Sequence, residues 1–108
     1  MQPNFLGKIS APSAGAPVQL TTDRTIRACK ILIVTIPGLV GNIYAGGADL
    51  NITTLAGTLT KFNPPSAVGL PDHFAIESMS GSNSLVVADY WLAASVAGEG
   101  ALVTYFQV

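Results

Sequence analysis

The stretch Lys30-Ile31-Leu32-Ile33-Val34-Thr35-Ile36 decides the fold of this chain. Nearly every residue in it is β-branched or aliphatic, a composition that favours a strand over a helix. Neighbouring side chains of a strand point to opposite faces of the sheet, and both sets here are apolar. Such a strand is typical of the middle of a sheet that is covered on both sides. We therefore expect a central strand with protein packed over each face.

Shorter segments with strand character surround this stretch, separated by Gly, Pro, Asn and Asp residues that favour turns. The segment 84–94 is rich in alanine, but its β-branched and aromatic centre favours a strand. About eight short strands with turns between them predict an all-β, antiparallel β-sandwich, with a jelly roll favoured. An immunoglobulin-like arrangement is the alternative, although its paired cysteines around a tryptophan are absent. The predicted strands are 18–22, 26–36, 42–45, 49–54, 58–62, 73–78, 84–94 and 101–108.

The first 17 residues are rich in Pro, Ala, Ser and Gly and show no periodic apolar pattern. They predict an extended N-terminal arm (1–17) with little structure of its own, ahead of a β-sandwich domain (18–108). Two interpretations are open. The arm is a frayed terminus, or it orders on a neighbouring subunit with Phe5, Leu6 and Ile9 as apolar anchors.

Charged residues are scarce in the chain. They make up 10% of its 108 residues, whereas 49% are hydrophobic. An average soluble domain carries about 25% charged residues. A domain of this size cannot bury all of its apolar side chains, because its core is small relative to its surface. Exposed apolar patches usually mark contact with another protein, so the composition predicts a domain covered by neighbours.

The same numbers argue against other partners. A net charge of −1 gives no basic surface for nucleic acid. No apolar run approaches the roughly 20 residues of a membrane helix, and no signal peptide is visible. The single cysteine, Cys29, cannot form an internal disulfide and is expected to be a small buried hydrophobe.

Catalytic and ligand-binding signals are weak. The only histidine, His73, follows Asp72, and neighbouring strand residues point to opposite faces, which does not suit a catalytic relay. We therefore expect no enzyme activity, no cofactor and no metal site. A calcium site remains the alternative for the aspartates, although their spacing does not match a calcium-binding loop. These aspartates are Asp23, Asp49, Asp72 and Asp89.

Two further elements are candidates for a subunit contact. Residues 63–72 form a loop stiffened by three prolines, and a stiff loop loses little entropy on docking. Its alternative role is a plain crossover between the sheets. Tyr90 and Trp91 must face opposite ways, and Trp91 is taken as the outward residue, since tryptophan is a favoured interface anchor. The complete set of predicted assembly residues is Phe5, Leu6, Ile9, Pro64, Pro65, Val68, Leu70 and Trp91.

Three sequence patterns resemble those of small virion proteins of tailed bacteriophages. The first is Gly41-Asn42-Ile43-Tyr44-Ala45-Gly46-Gly47, and the second is Leu70-Pro71-Asp72-His73-Phe74 after the proline-rich loop. The third is Asn83-Ser84-Leu85-Val86-Val87-Ala88-Asp89, followed by the closing hairpin Gly100-Ala101-Leu102-Val103-Thr104-Tyr105. The similarity covers residues 31–108 and does not include the N-terminal arm.

The resemblance implies a capsid decoration (cement) protein with a jelly-roll fold. It implies a location on the capsid surface of the virion after synthesis in the host cytoplasm. The implied partners are the major capsid protein and further copies of the chain, as a homo-oligomer expected to be a trimer. A receptor- or glycan-binding module of a phage fibre or tail is the alternative, and a small enzyme or cellular carbohydrate-binding domain is the third hypothesis.

Overall fold

A computed structural model of the chain describes residues 2–37, 39–63 and 72–108. It confirms an all-β protein built from antiparallel sheets. A short 3-10 helix at Val87–Asp89 interrupts the strands. The strands are β1 (Gln2–Ser10), β2 (Val18–Gln19), β3 (Arg27–Ala28), β4 (Lys30–Thr35), β5 (Ile43–Gly46), β6 (Thr58–Phe62), β7 (His73–Glu77), β8 (Leu85–Val86), β9 (Trp91–Ala94) and β10 (Gly100–Gln107).

Two four-stranded sheets make up the body of the domain. The first has the strand order β1-β10-β4-β7 and the second the order β2-β9-β5-β6, while β3 and β8 form a separate two-stranded ribbon. Ile31 and Ile33 from the first sheet and Ile43 and Leu92 from the second are completely buried and belong to one apolar cluster. Because both sheets contribute their inner faces to one core, the arrangement is β-sandwich-like.

The predicted central strand is only partly as expected. β4 does lie inside its sheet, between β10 and β7. The expectation of cover on both faces is wrong among the described residues. Ile31, Ile33 and Thr35 are buried, whereas Leu32 and Val34 on the other face are only half-buried and lie outside the core cluster. One apolar face of this strand therefore points outward.

The predicted N-terminal arm is wrong for Gln2–Ser10. These residues form β1, which pairs with β10 along its length. The register shifts between Phe5 and Gly7, and Gly7 adopts a positive φ of 79°. A glycine at positive φ is the hallmark of one type of β-bulge, and a proline such as Pro3 is tolerated on an edge strand. Pro3 and Gly7, which suggested an unstructured arm, thus belong to an edge strand, whereas residues 11–17 contain no strand.

Three other predicted strands differ from the structure. The segment 49–54 consists of turns and contains no strand. The segment 26–36 divides at Cys29 into β3 and β4, and the segment 84–94 divides at the 3-10 helix into β8 and β9. The predicted segment 58–62 coincides with β6. Within the described parts of the chain, no helix is long and apolar enough to cross a membrane.

Candidate interaction surface

The outward side of the first sheet is an ordered grid of side chains. Residues paired directly across an antiparallel ladder point to the same face, so the register defines rows that run across the four strands. We call this surface the open face. Its rows are Pro3-Phe106-Lys30-Glu77, then Phe5-Thr104-Leu32-Ala75, then Lys8-Leu102-Val34-His73, each given in the order β1, β10, β4, β7.

Apolar side chains predominate on the open face between its charged corners, with Thr104 as a polar residue among them. Phe5 is 78% exposed and Leu102 is 46% exposed, while Leu32 and Val34 on the inner strand β4 are half-buried. None of the four belongs to the core cluster or to the side chains packed against it. Soluble monomers rarely expose a contiguous apolar patch of this kind without a function.

Charged groups lie at the margin of the open face. The Lys30 ammonium is 3.7 Å from a Glu77 carboxylate oxygen and 5.7 Å from the centre of the Phe106 ring. Lys8 lies at the corner of the grid diagonally opposite Glu77, and His73 lies at a third corner. An apolar centre with a polar margin is the usual anatomy of a protein–protein interface.

The outward side of the second sheet is different because the chain covers it. Along β5 and β9, pairs of core residues alternate with the pairs Tyr44–Ala93 and Gly46–Trp91. Tyr44, Ala93 and Trp91 therefore point outward. The 47–57 loop folds over them, and its Leu50 and Ile52 complete a second apolar cluster. We call this surface the covered face. Lys61 closes one side of it, with its ammonium 5.8 Å from the centre of the Tyr44 ring.

Turn hydrogen bonds hold the 47–57 loop in this position. The Asn51 side-chain oxygen accepts from the N–H groups of Thr53 (2.9 Å) and Thr54 (3.1 Å). The Asn51 N–H donates to the carbonyl of Ala56, and the Gly47 N–H donates to that of Gly57. An asparagine that bonds to the backbone two residues on replaces a strand with a turn. Leu50 and Ile52 therefore serve as a lid on the sheet, not as part of a strand.

The predicted assembly residues do not form one surface. Phe5 lies on the open face, whereas Leu6 and Ile9 pack against the main core, which leaves them little surface for a neighbour. Trp91 lies on the covered face, half-buried by its own chain, while Tyr90 packs against the main core on the other side. The remaining predicted residues, Pro64, Pro65, Val68 and Leu70, lie outside the described residues.

An open groove of about 460 Å³ lies between the N-terminal segment after β1 and the 47–57 loop. Asn51, Thr53 and Ser95 provide its polar lining, and Pro17, Leu50 and Ile52 part of its apolar lining. The lining residues include no aromatic side chain and no charged group. Sugar-binding sites rely on aromatic rings for stacking, so the groove offers little of that chemistry.

Asp72 and Cys29 have local hydrogen-bond partners. The Asp72 carboxylate accepts from the His73 N–H at 2.9 Å, and the Asp72 N–H donates to Thr35 Oγ1 at 2.7 Å. The Cys29 thiol is buried and donates to the carbonyl of Phe106 at 3.3 Å. In the described ranges, no three His, Cys, Asp or Glu side chains come together as a potential metal site. The four aspartates considered for calcium are therefore not brought together.

Two side chains have shifted pKa values. The Thr25 hydroxyl and N–H both donate to the Asp23 carboxylate and hold its pKa below the usual value. Burial, and to a smaller extent the charge of Asp89, raises the pKa of Tyr90 above 10.0. Asp23 is exposed in a turn and Tyr90 packs against the core. Local hydrogen bonds account for the shift of Asp23, and burial with a nearby charge accounts for that of Tyr90.

Comparisons with protein-family models, curated proteins and solved structures find no significant match. The structure itself therefore defines the class of the protein, an all-β domain with one apolar sheet face that no described residue covers.

Most of the open face was not among the predicted assembly residues. Leu32, Val34, Leu102 and Phe106 are all on regular strands, where an apolar side chain is by default a core residue. A signal was present in the stretch Lys30 to Ile36, which is apolar on both faces. That pattern indicates that both faces are covered, but it does not distinguish cover by the same chain from cover by a neighbour.

Proposed function

We propose that this chain is a structural virion protein that decorates and stabilises a bacteriophage capsid and has no catalytic activity. The observation that carries the proposal is the open face, an apolar sheet surface in a chain with 10% charged residues. A protein that works as a solitary soluble domain would carry charges on such a face. The virion assignment is supported by the resemblance of residues 31–108 to phage decoration proteins.

The proposal includes a jelly-roll connectivity and two kinds of neighbour. The two four-stranded sheets support the jelly roll, whose usual layout is eight strands in two sheets. The neighbours are the major capsid protein and other copies of the chain, grouped as a trimer of about 33 kDa from chains of 11.1 kDa. The protein is made in the host cytoplasm and resides on the capsid surface. Area buried across the joints between capsid subunits would stabilise the shell.

A glycan- or receptor-binding module has weaker support from the structure. The groove beside the 47–57 loop lacks aromatic and charged groups, and the aromatic Trp91 is packed beneath that loop. Phe5, the most exposed aromatic side chain among the described residues, belongs to an apolar sheet face. A flat apolar surface suits a protein partner better than a hydrated sugar.

The test adds purified chain to capsids of the encoding phage that were assembled without it. The proposal predicts saturable binding and a higher melting temperature of the capsid. Leu102→Ser should lower occupancy, because it weakens contacts that the open face makes with neighbouring subunits of the shell, other copies of the chain included, whereas Leu59→Ser should not. Leu59 is a matched control because it is 52% exposed on β6, against 46% for Leu102 on β10. Absence of binding by the unaltered chain, together with saturable binding to a glycan array, would replace this proposal with the glycan-binding alternative.

A further inference from the structure

We propose that the open face is covered by the open face of a second copy of this chain. The inference deepens the self-association in the proposed function and rests on it. The proposed function names two neighbours, and the charge pattern of the open face indicates which of them covers this surface.

The dimensions of the grid allow two copies to pack face to face. Strands lie about 4.8 Å apart and same-face residues about 7 Å apart along a strand. Four strands and the rows from Pro3 to Lys8 therefore span roughly 14 Å in each direction. A nearly square face can meet a second copy with the strands of the two sheets crossing close to a right angle, which is one of the two preferred ways for sheets to pack.

The charges of the open face are self-complementary in that arrangement. Consider a two-fold axis lying between the two faces along the diagonal from Pro3 to His73. It exchanges the other two corners, so that Lys8 of each copy faces Glu77 of the other. Lys8 makes no ion pair within the part of the chain that the structure describes. Glu77 is 67% exposed despite its 3.7 Å contact with Lys30 and retains surface for a second cation.

The apolar side chains are matched by the same operation. Leu32 lies close to the axis, so it meets its own counterpart in the second copy. Phe5 falls on the row of the second copy that contains Phe106 and Lys30, where aromatic and cation–π contacts are available. The contact therefore places Leu32 against Leu32, Phe5 beside an aromatic ring and Lys8 against Glu77.

The area of the face limits the strength of the contact. With its side chains the face measures roughly 400 Å² per copy, and stable complexes bury about 1,200–2,000 Å² in total. We therefore expect reversible pairing that depends on concentration. Pairing becomes stronger where copies are held together, since a trimer joined to another trimer multiplies the contacts. A trimer contains no two-fold axis, so this contact would join trimers or, without them, pairs of chains.

The test is sedimentation of the full chain over a range of concentrations. The unaltered protein should show reversible association, to about 22 kDa for pairs of 11.1 kDa chains or about 67 kDa for pairs of trimers. Lys8→Glu alone and Glu77→Lys alone should each weaken association roughly tenfold, because each places like charges at both corners. The double variant should associate as the unaltered chain does.

A mixture of the two single variants gives the sharpest result. Equal amounts of Lys8→Glu and Glu77→Lys should associate again, because Glu at position 8 then faces Lys at position 77, and Glu77 faces Lys8 at the other corner. Both residues are on the surface, so the variants fold, and thermal unfolding checks this. Leu32→Cys should form a disulfide-linked pair under mild oxidant, whereas Lys61→Cys at the margin of the covered face should not.

Failure of the mixture to associate, or unchanged association of both single variants, would overturn the inference. So would a single mass at all concentrations for the unaltered chain. None of these measurements uses capsids. A chain that binds capsids but never pairs overturns the pairing alone, and a chain that pairs but does not bind capsids overturns the virion assignment alone.

Discussion

The outer surfaces of the two sheets differ in whether the chain itself covers them. The second sheet places Tyr44, Ala93 and Trp91 outward, and the chain covers them with its own 47–57 loop. The first sheet places Leu32, Val34 and Leu102 outward, and no described part of the chain packs over them. Burial of apolar surface stabilises the contact that removes it from water, whether within one chain or between two. The covered face therefore contributes to folding, whereas the open face is available to contribute to assembly.

The largest expected effect separates the two surfaces by stability. Leu50→Ala removes a buried side chain from the lid of the covered face and should lower the free energy of unfolding by about 2–4 kcal/mol. Leu102→Ala, the same substitution on the open face, should cost less than about 1 kcal/mol in dilute solution. Urea denaturation of both variants measures the difference. Equal losses would mean that the open face is also part of the folding core.

A second prediction concerns Gly46 and Gly100, each of which lies against the backbone of a neighbouring segment. A Cβ at Gly46 would collide with the carbonyl of Gly57 in the lid, and one at Gly100 would collide with the carbonyl of Ile9 in β1. Each change to alanine should lower the free energy of unfolding by about 1–3 kcal/mol. Gly46→Ala should alter the fluorescence of Trp91, which pairs with that position.

Gly100→Ala should instead leave the tryptophan signal unchanged and speed hydrogen exchange in Gln2–Ser10. Each variant is thus the control for the other. Altered tryptophan fluorescence in Gly100→Ala would show that the two surfaces are mechanically coupled and would weaken the comparison.

The smallest expected effect is a dependence of stability on pH that comes from Tyr90. Tyr90 packs against the core beside Trp91, and its pKa is raised by burial and by Asp89. Because the folded pKa lies above the unfolded value of 10.0, the folded state retains the proton longer. This contribution to stability is complete below pH 10 and is lost as the pH rises through the folded pKa.

Ultraviolet titration of the tyrosines should therefore show a late step that Tyr90→Phe removes. Asp89→Asn should move that step only slightly to lower pH, because the charge of Asp89 contributes less than burial to the raised pKa of Tyr90. A late step that survives in Tyr90→Phe would contradict the assignment.

The sequence predicts the regular strands better than the features that set the two faces apart. The segment 58–62 coincides with β6, and β7 occupies most of 73–78, because alternating apolar residues between turn residues leave few other choices. The segment 49–54 has the same alternation in Leu50 and Ile52, but the Asn51 side chain bonds to the backbone and forms turns. Periodicity alone does not reveal that competition.

The N-terminal strand was missed for a related reason. Pro3 and Gly7 are turn and linker residues by composition, yet on an edge strand a proline and a bulge glycine are ordinary. The partner strand β10 lies at the other end of the sequence, so no pattern within the first residues indicates this pairing. Of the predicted assembly residues within the described ranges, only Phe5 lies on the open face, because residue type does not reveal which side of a sheet a residue occupies.

The most direct measurement is an NMR dilution series of isotope-labelled chain, followed by the backbone amides and the methyl groups. The account predicts that shifts change with concentration at Phe5, Leu32 and Leu102 on the open face, while those of Ala93 on the covered face and of Leu50 and Ile52 in its lid stay constant. Shifts that change on the covered face, or spectra that do not change with concentration at all, would contradict the claim that the open face is the surface through which this protein assembles.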